Sequence, residues 1–332
     1  MKKVLTLLAM LAMVVLTACG GKKEAAEAPK AADAKPLKVG IVLSIGGLGD
    51  KSFNDSAYRG LEMAKKDLGI EFKYVEPASP SEDEGYLREY AEAGYDLVIA
   101  TGFLMKDSAE KVAKDFPNVK FALIDEISTL PNVASLVFSE DQGSFLVGAL
   151  ASMMSKNGNV GFVGGMEIPL IQKFLKGYEM GAKYINPNVK VQSLYIGGSN
   201  PFNDPVKAKE MALSLTKQGA DVVYHAAGGS GKGVFEAAKE SKVFAIGVDS
   251  NQDGEAQGVI LTSMIKNVDI AVYNTIKAVK EGTFKAGEQR FGVAEGGVGT
   301  TNFEFTKDII GAEKIAKLEQ IKKDIVDGKI KF

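Results

Sequence analysis

Reactive side chains are scarce in this chain. Its 332 residues hold one histidine, His225, and one cysteine, Cys19. A Ser-His-Asp or Cys-His centre would have to use His225, and no nucleophile-elbow sequence lies near it. A zinc site lacks ligands. Paired carboxylates remain, but nothing signals hydrolysis. The chemistry expected is therefore binding without turnover, with no metal, cofactor or catalytic group.

Polar groups suited to binding collect in one stretch. Asp50, Lys51, Asn54 and Asp55 surround a single aromatic, Phe53, just after the glycine-rich Gly46–Gly49. An aromatic ring flanked by hydrogen-bonding groups suits a flat polar ligand such as a base. The alternative is a capped helix whose Phe53 packs into the core. Further on, Asp125 and Asp249 each follow a short apolar run, and Lys266 follows another. Carboxylates accept and an ammonium donates, so this set suits vicinal hydroxyls such as those of a sugar. A surface ion pair is the competing reading. The segment Ala226-Ala227-Gly228-Gly229-Ser230-Gly231-Lys232-Gly233 invites a phosphate-loop reading but fails it. Gly233 stands where a Ser or Thr should hold magnesium. Glycines that let a ligand approach the backbone fit better, with a tight turn as the alternative.

These residues need elements to hold them. Val39–Leu43, Leu97–Ala100, Lys120–Ile124 and Val133–Phe138 read as strands, the apolar runs among them as fully buried ones. Helical segments alternate with them, at Ser81–Ala93 and Ser108–Lys114 for example. The alternation then restarts with a helix at Gln142–Ser155. Strands follow at Val160–Val163, Val189–Tyr195, Val222–Tyr224, Val243–Val248 and Val259–Ser263, with helices between them. Strand–loop–helix repetition argues parallel βαβ units. The expected fold class is α/β, with two doubly wound parallel-sheet lobes and a hinge. Asp125 and Asp249 then fall at strand carboxyl ends, the ligand side of such sheets. The expected divisions are 37–138 plus about 264–298 for an N-terminal lobe, and 139–263 plus about 299–332 for a C-terminal lobe.

The N-terminus is a targeting segment. Lys2 and Lys3 precede an apolar run, Val4–Leu16, that is short for a membrane span. Leu16-Thr17-Ala18-Cys19 looks like a bacterial lipobox, which would make Cys19 the lipidated first residue of the mature chain. Residues 1–19 are thus expected to be a lipoprotein signal peptide. The Ala-, Lys- and Glu-rich residues 20–36 read as a disordered tether. A net charge of −2 without a basic patch argues against nucleic-acid partners.

The sequence resembles the basic membrane protein (BMP) family of bacterial lipoproteins, the purine nucleoside receptors of ABC importers. The matching pieces are Gly49–Asn54, Glu140–Gly148, Val163–Met166, Ala226–Gly233, Ile246–Gln252 and Leu261–Lys266. They keep their order and span nearly all of the chain after the tether. The resemblance implies a type I periplasmic-binding-protein fold with a purine nucleoside between the lobes. It implies that Phe53 stacks on one face of the base and Tyr224 covers the other, and that Asn54 reads a base edge. By the same likeness, Asp125, Asp249 and Lys266 surround the ribose and Gly228 offers backbone contact. Asp55 adds a possible acceptor for a donor-bearing base edge. Some family members carry an Asp where this chain has Ser44. The implied partners are an ABC permease and its ATPase, with the protein a monomer tethered to the cell membrane and facing the periplasm or exterior. The alternative ligand for the same fold is a sugar or signalling molecule.

Overall fold

A computed structural model describes residues 35–332; Cys19, the signal segment and nearly all of the tether lie outside the described residues. The chain builds two six-stranded sheets of the same design. The first contains β1 (Lys38–Val42), β2 (Glu71–Val75), β3 (Leu97–Thr101), β4 (Lys120–Ile124) and β5 (Val133–Phe138), with α1 (Phe53–Leu68), α2 (Asp83–Glu92) and α3 (Lys106–Asp115) between its strands. A helix, α4 (Glu140–Met154), leads into the second series. That series runs β6 (Asn159–Gly164), α5 (Pro169–Ile185), β7 (Lys190–Tyr195), α6 (Pro205–Lys217), β8 (Val222–Ala226), α7 (Gly231–Ser241), β9 (Phe244–Asp249) and β10 (Ile260–Lys266). Then follow α8 (Val268–Lys280), β11 (Gly287–Phe291), β12 (Val298–Thr300), α9 (Lys307–Ile310) and α10 (Ala312–Val326).

The strand orders are β2-β1-β3-β4-β5-β11 and β7-β6-β8-β9-β10-β12. Position by position, β4 in the first sheet corresponds to β9 in the second, and β5 to β10. All pairings are parallel except β10 with β12. Burial follows position in the sheet. Central β3 and β5 are buried at every residue, whereas edge strands β2, β7 and β11 alternate with exposed positions. Their Glu, Lys and Gln residues keep the open edges polar, which discourages pairing with another chain.

The sheets exchange helices. α4 leaves β5 of the first sheet but packs on α5, β10 and β12 of the second, while α8 leaves β10 and packs on α1 of the first. The α4–α5 contact is close because Gly148, Gly177 and Gly181 stand where the facing backbone leaves no room for a side chain. Thus the chain crosses between lobes after Phe138, after Lys266, and between Phe291 and Val298. No helix among the described residues is long and apolar enough to cross a membrane.

Candidate functional site

A cavity lies between the lobes, where small-molecule sites commonly form. Its walls come from strand-end loops of both sheets. Ser44, Phe53, Asn54, Gly102, Phe103 and Asp125 belong to the first lobe. Phe174, Phe202, Gly228, Asp249 and Lys266 belong to the second sheet and its helices. The lining is thus aromatic with a few convergent polar groups.

The polar groups form two sets. In one, Lys266 is buried with its Nζ 2.6 Å from Asp125 Oδ1 and 3.2 Å from Glu140 Oε1. The same ammonium lies 5.1 Å from the centre of the Phe53 ring, 5.0 Å from Phe138 and 5.6 Å from Phe174. Burial alone would lower its pKa. The charges of Asp125, Glu140 and Asp249 more than offset that and hold it above the ordinary ammonium range. Burial pushes Asp125 up to about 6, with the lysine pulling the other way, and also raises Asp249. Both aspartates stand in left-handed backbone, at φ 71° and 63°. Each turns the chain sharply at the end of equivalent strands, β4 and β9. Such conformations are strained for residues other than glycine and concentrate at functional sites.

The other set is the loop before α1. Asn54 Oδ1 accepts from the Ser44 backbone N–H at 2.9 Å and from its hydroxyl at 3.1 Å. The backbone donor fixes the amide's orientation, because only the oxygen can accept. Asn54 Nδ2 makes no hydrogen bond among the described residues, so the side chain faces the cavity as a donor. Asp50 also borders the cavity, but its carboxylate accepts from the backbone N–H of Ser52, Asn54 and Asp55. It therefore caps α1, the role the small residues at Ser52–Asn54 suggest from sequence. Burial raises Asp50 to about 6 despite those three donors.

Three of the expected binding residues lie elsewhere. Tyr224 is fully buried, with its hydroxyl 3.2 Å from Ser144 Oγ and its ring packed against Tyr178 and Phe162. It cannot cover a base face: only the tip of β8, at Ala226, reaches the cavity. Asp55 spends its carboxylate on the Gly49 and Lys51 backbone N–H groups, and Lys51 is exposed at positive φ outside the cavity. Of the others, Asp50, Phe53, Asn54, Asp125, Gly228, Asp249 and Lys266 come together around one space. Sequence reasoning missed Phe103, Phe174 and Phe202. Phe202 could have been noticed as an aromatic in the polar loop Gly197–Asp204, and Phe103 as one following a strand end. Phe174 has the spacing of an ordinary helix core position. His225, the one histidine, is buried against Gln252 with its pKa lowered by burial to about 4, a neutral structural residue.

The lobes also touch directly beside the cavity. Ser52 Oγ donates to Asp249 Oδ2 at 2.5 Å, and Ser250 Oγ donates to the Ser52 carbonyl at 2.8 Å. Lys232 Nζ reaches the Gly49 carbonyl at 2.7 Å and Arg59 reaches Ser250 at 3.1 Å.

Residues 37–332 match the family model described as PnrA-like ABC transporter substrate-binding protein. The chain is 36% identical to the CD4+ T-cell-stimulating antigen of Listeria monocytogenes, over 96% of this chain and 94% of that protein. It is 34% identical to the ABC transporter nucleoside-binding protein BmpA of Lactococcus lactis, over 89% of this chain and 88% of that one. A crystal structure of an ABC transporter solute-binding protein from Aeropyrum pernix superposes with a TM-score of 0.84 at 32% identity, covering 90% of this chain and 93% of that chain.

Proposed function

This chain belongs to the family of PnrA-like ABC transporter substrate-binding proteins, and from that premise we propose that it captures purine nucleosides between its lobes and hands them to an ABC importer. The family is one of receptors, so the cavity's task is to bind and release. The observation that carries the nucleoside reading is the composition of the cavity wall. Four phenylalanines, Phe53, Phe103, Phe174 and Phe202, share one space with the Lys266–Asp125–Asp249 set. Aromatic faces suit a base, and the buried acceptors and ammonium suit the hydroxyls of a ribose. Asn54 Nδ2 is placed to donate to a base acceptor. The nucleoside-binding relative in Lactococcus lactis supports the same ligand class.

In this reading the protein acts as a monomer. Cys19 anchors it to the membrane, residues 20–36 tether it, and the lobes (37–138 with about 267–297, and 139–266 with about 298–332, the crossings falling a few residues from those expected) close on the ligand. Ligand contacts to both lobes bias the hinge toward the closed state.

Calorimetric titration of refolded protein, stripped of carried-over ligand, tests this. The panel is guanosine, inosine, adenosine, a pyrimidine nucleoside, free guanine and ribose. Purine nucleosides are expected to bind more tightly than free base or ribose. Absence of heat with every nucleoside, from protein shown to be folded, overturns the proposal.

A further inference from the structure

A small side chamber adjoins the main cavity. Ser44, Ile45 and Leu104 line both spaces, and behind them the chamber is closed by Pro77, Pro80, Asp83 and Thr101. Its free space, about 10 Å³, is what one water-sized group needs. Two of its polar groups are anomalous. Asp83 is 3% exposed, and its carboxylate, which makes no hydrogen bond or ion pair among the described residues, keeps access to this open space. Thr101 Oγ1 is buried and likewise has no partner. Buried polar groups are normally paired, because leaving one unsatisfied is costly. Burial, with the nearby charge of Glu82, holds the Asp83 pKa up at about 6.

On this side of the main cavity the other acceptors are committed. Asn54 Oδ1 takes two donors from Ser44. Asp50 takes three backbone N–H groups. A purine with a donor edge turned this way meets the Asp83 carboxylate, which no protein donor occupies among the described residues, and the unpaired Thr101 hydroxyl.

We propose that Asp83, with Thr101, is a specificity-determining residue: the side chamber accepts an amino group of the bound base, the 2-amino group of guanine being of the size it admits. The inference rests on the nucleoside reading and sharpens it to a preference for guanosine over inosine, which lacks that amino group. Ser44 contributes by being small, because it lines both spaces and a longer side chain there would separate the base from the chamber.

The test compares guanosine and inosine on the wild-type protein and on Asp83→Asn, with melting followed in parallel. The wild type is expected to bind guanosine at least tenfold more tightly than inosine. Asp83→Asn keeps the size but removes the acceptor-only carboxylate, so guanosine should lose at least fivefold more affinity than inosine. The variant is expected to melt no lower than the parent at neutral pH, since an unpaired buried charge is removed. A second variant, Ser44→Leu, should block the chamber and cut the guanosine preference without touching Asp83. Equal losses for the two nucleosides, or a wild type that prefers inosine, would show that the chamber holds only water and would overturn the inference alone. Failure of guanosine and inosine to bind would overturn the inference, and failure of adenosine and the pyrimidine nucleoside as well would overturn the nucleoside reading with it.

Discussion

At the scale of single residues, the buried ammonium is the group on which most depends. Lys266 faces three carboxylates, so replacing it with Met leaves Asp125 and Asp249 without their main cation, while Glu140 keeps Lys173. Removing one partner from a buried charge set typically costs about 3–5 kcal/mol. Lys266→Met is expected to melt far below the parent at pH 7.5 and to recover part of the difference near pH 5, as Asp125 and Asp249, both raised by burial, take up protons. A variant that melts with the parent at pH 7.5 would contradict the arrangement. The same carboxylates give affinity a pH dependence. Asp125 titrates near 6 with Asp249 also raised, and the ligand's hydroxyls would donate to their ionised forms. Affinity should be flat above about pH 7 and fall as pH drops through 6, measured by titration in a constant-ionic-strength buffer series. Phe53→Ala should weaken nucleoside binding by roughly ten- to a hundredfold, the equivalent of about 1–3 kcal/mol for one stacked base. Tyr224→Phe, by contrast, should leave affinity within twofold and cost about 1 kcal/mol of stability through the lost Ser144 contact. The contrast between those two aromatics also shows what can be read from sequence. Phe53 follows a strand and loop and so is placed by position alone. Tyr224 sits inside a strand, where its side chain stands perpendicular to the sheet and packs under the crossing helix α4. Adjacency to a glycine-rich loop could not reveal that.

Elements decide how precisely those residues are held. Strand and helix alternation was plain in the sequence because buried parallel strands are short apolar runs punctuated by Gly, Asp and Ser. Two lobes of doubly wound α/β architecture follow from it, and the sheets have that form. The loops were harder. Asp50 carries ligand-like chemistry in sequence, but its carboxylate organises the start of α1. No side chain from α1's own first residues caps it. Loop conformation depends on hydrogen bonds between residues whose order in the chain is all that sequence shows. Asp50→Asn keeps one acceptor and loses the other, so the backbone amides of Ser52, Asn54 and Asp55 should exchange faster with solvent. Nucleoside affinity should fall along with them, because Phe53 and Asn54 ride on this turn. Unchanged exchange protection over 52–55 would assign the helix start to another group. Phe202 stands out in sequence as an aromatic in a polar loop, but its direction does not: the loop Gly197–Asp204 has no periodicity, and only its docking beside Gly165 and Gly228 turns the ring toward the cavity.

For the whole molecule, the direct contacts between lobes set the balance between open and closed forms. Ser52–Asp249, Ser250–Ser52 and Lys232–Gly49 stabilise the closed form without any ligand atom. Each such hydrogen bond contributes about 0.5–1.5 kcal/mol. Ser250→Ala, which touches no cavity-lining side chain, should raise the dissociation constant severalfold and increase the radius of gyration of ligand-free protein in X-ray scattering. A changed affinity with identical scattering would place the effect in the site and not in closure. The strand order of the two sheets has a consequence for how the chain comes into being. β11 completes the first sheet and β12 the second, yet both lie within the last fifty or so residues to be synthesised. Until those residues emerge from the ribosome, β5 and β10 each present an unpaired edge. Neither half can reach its final form early, and a chain shortened before Gly287 would lose an edge strand from both. Completion of both sheets is therefore a late event in synthesis.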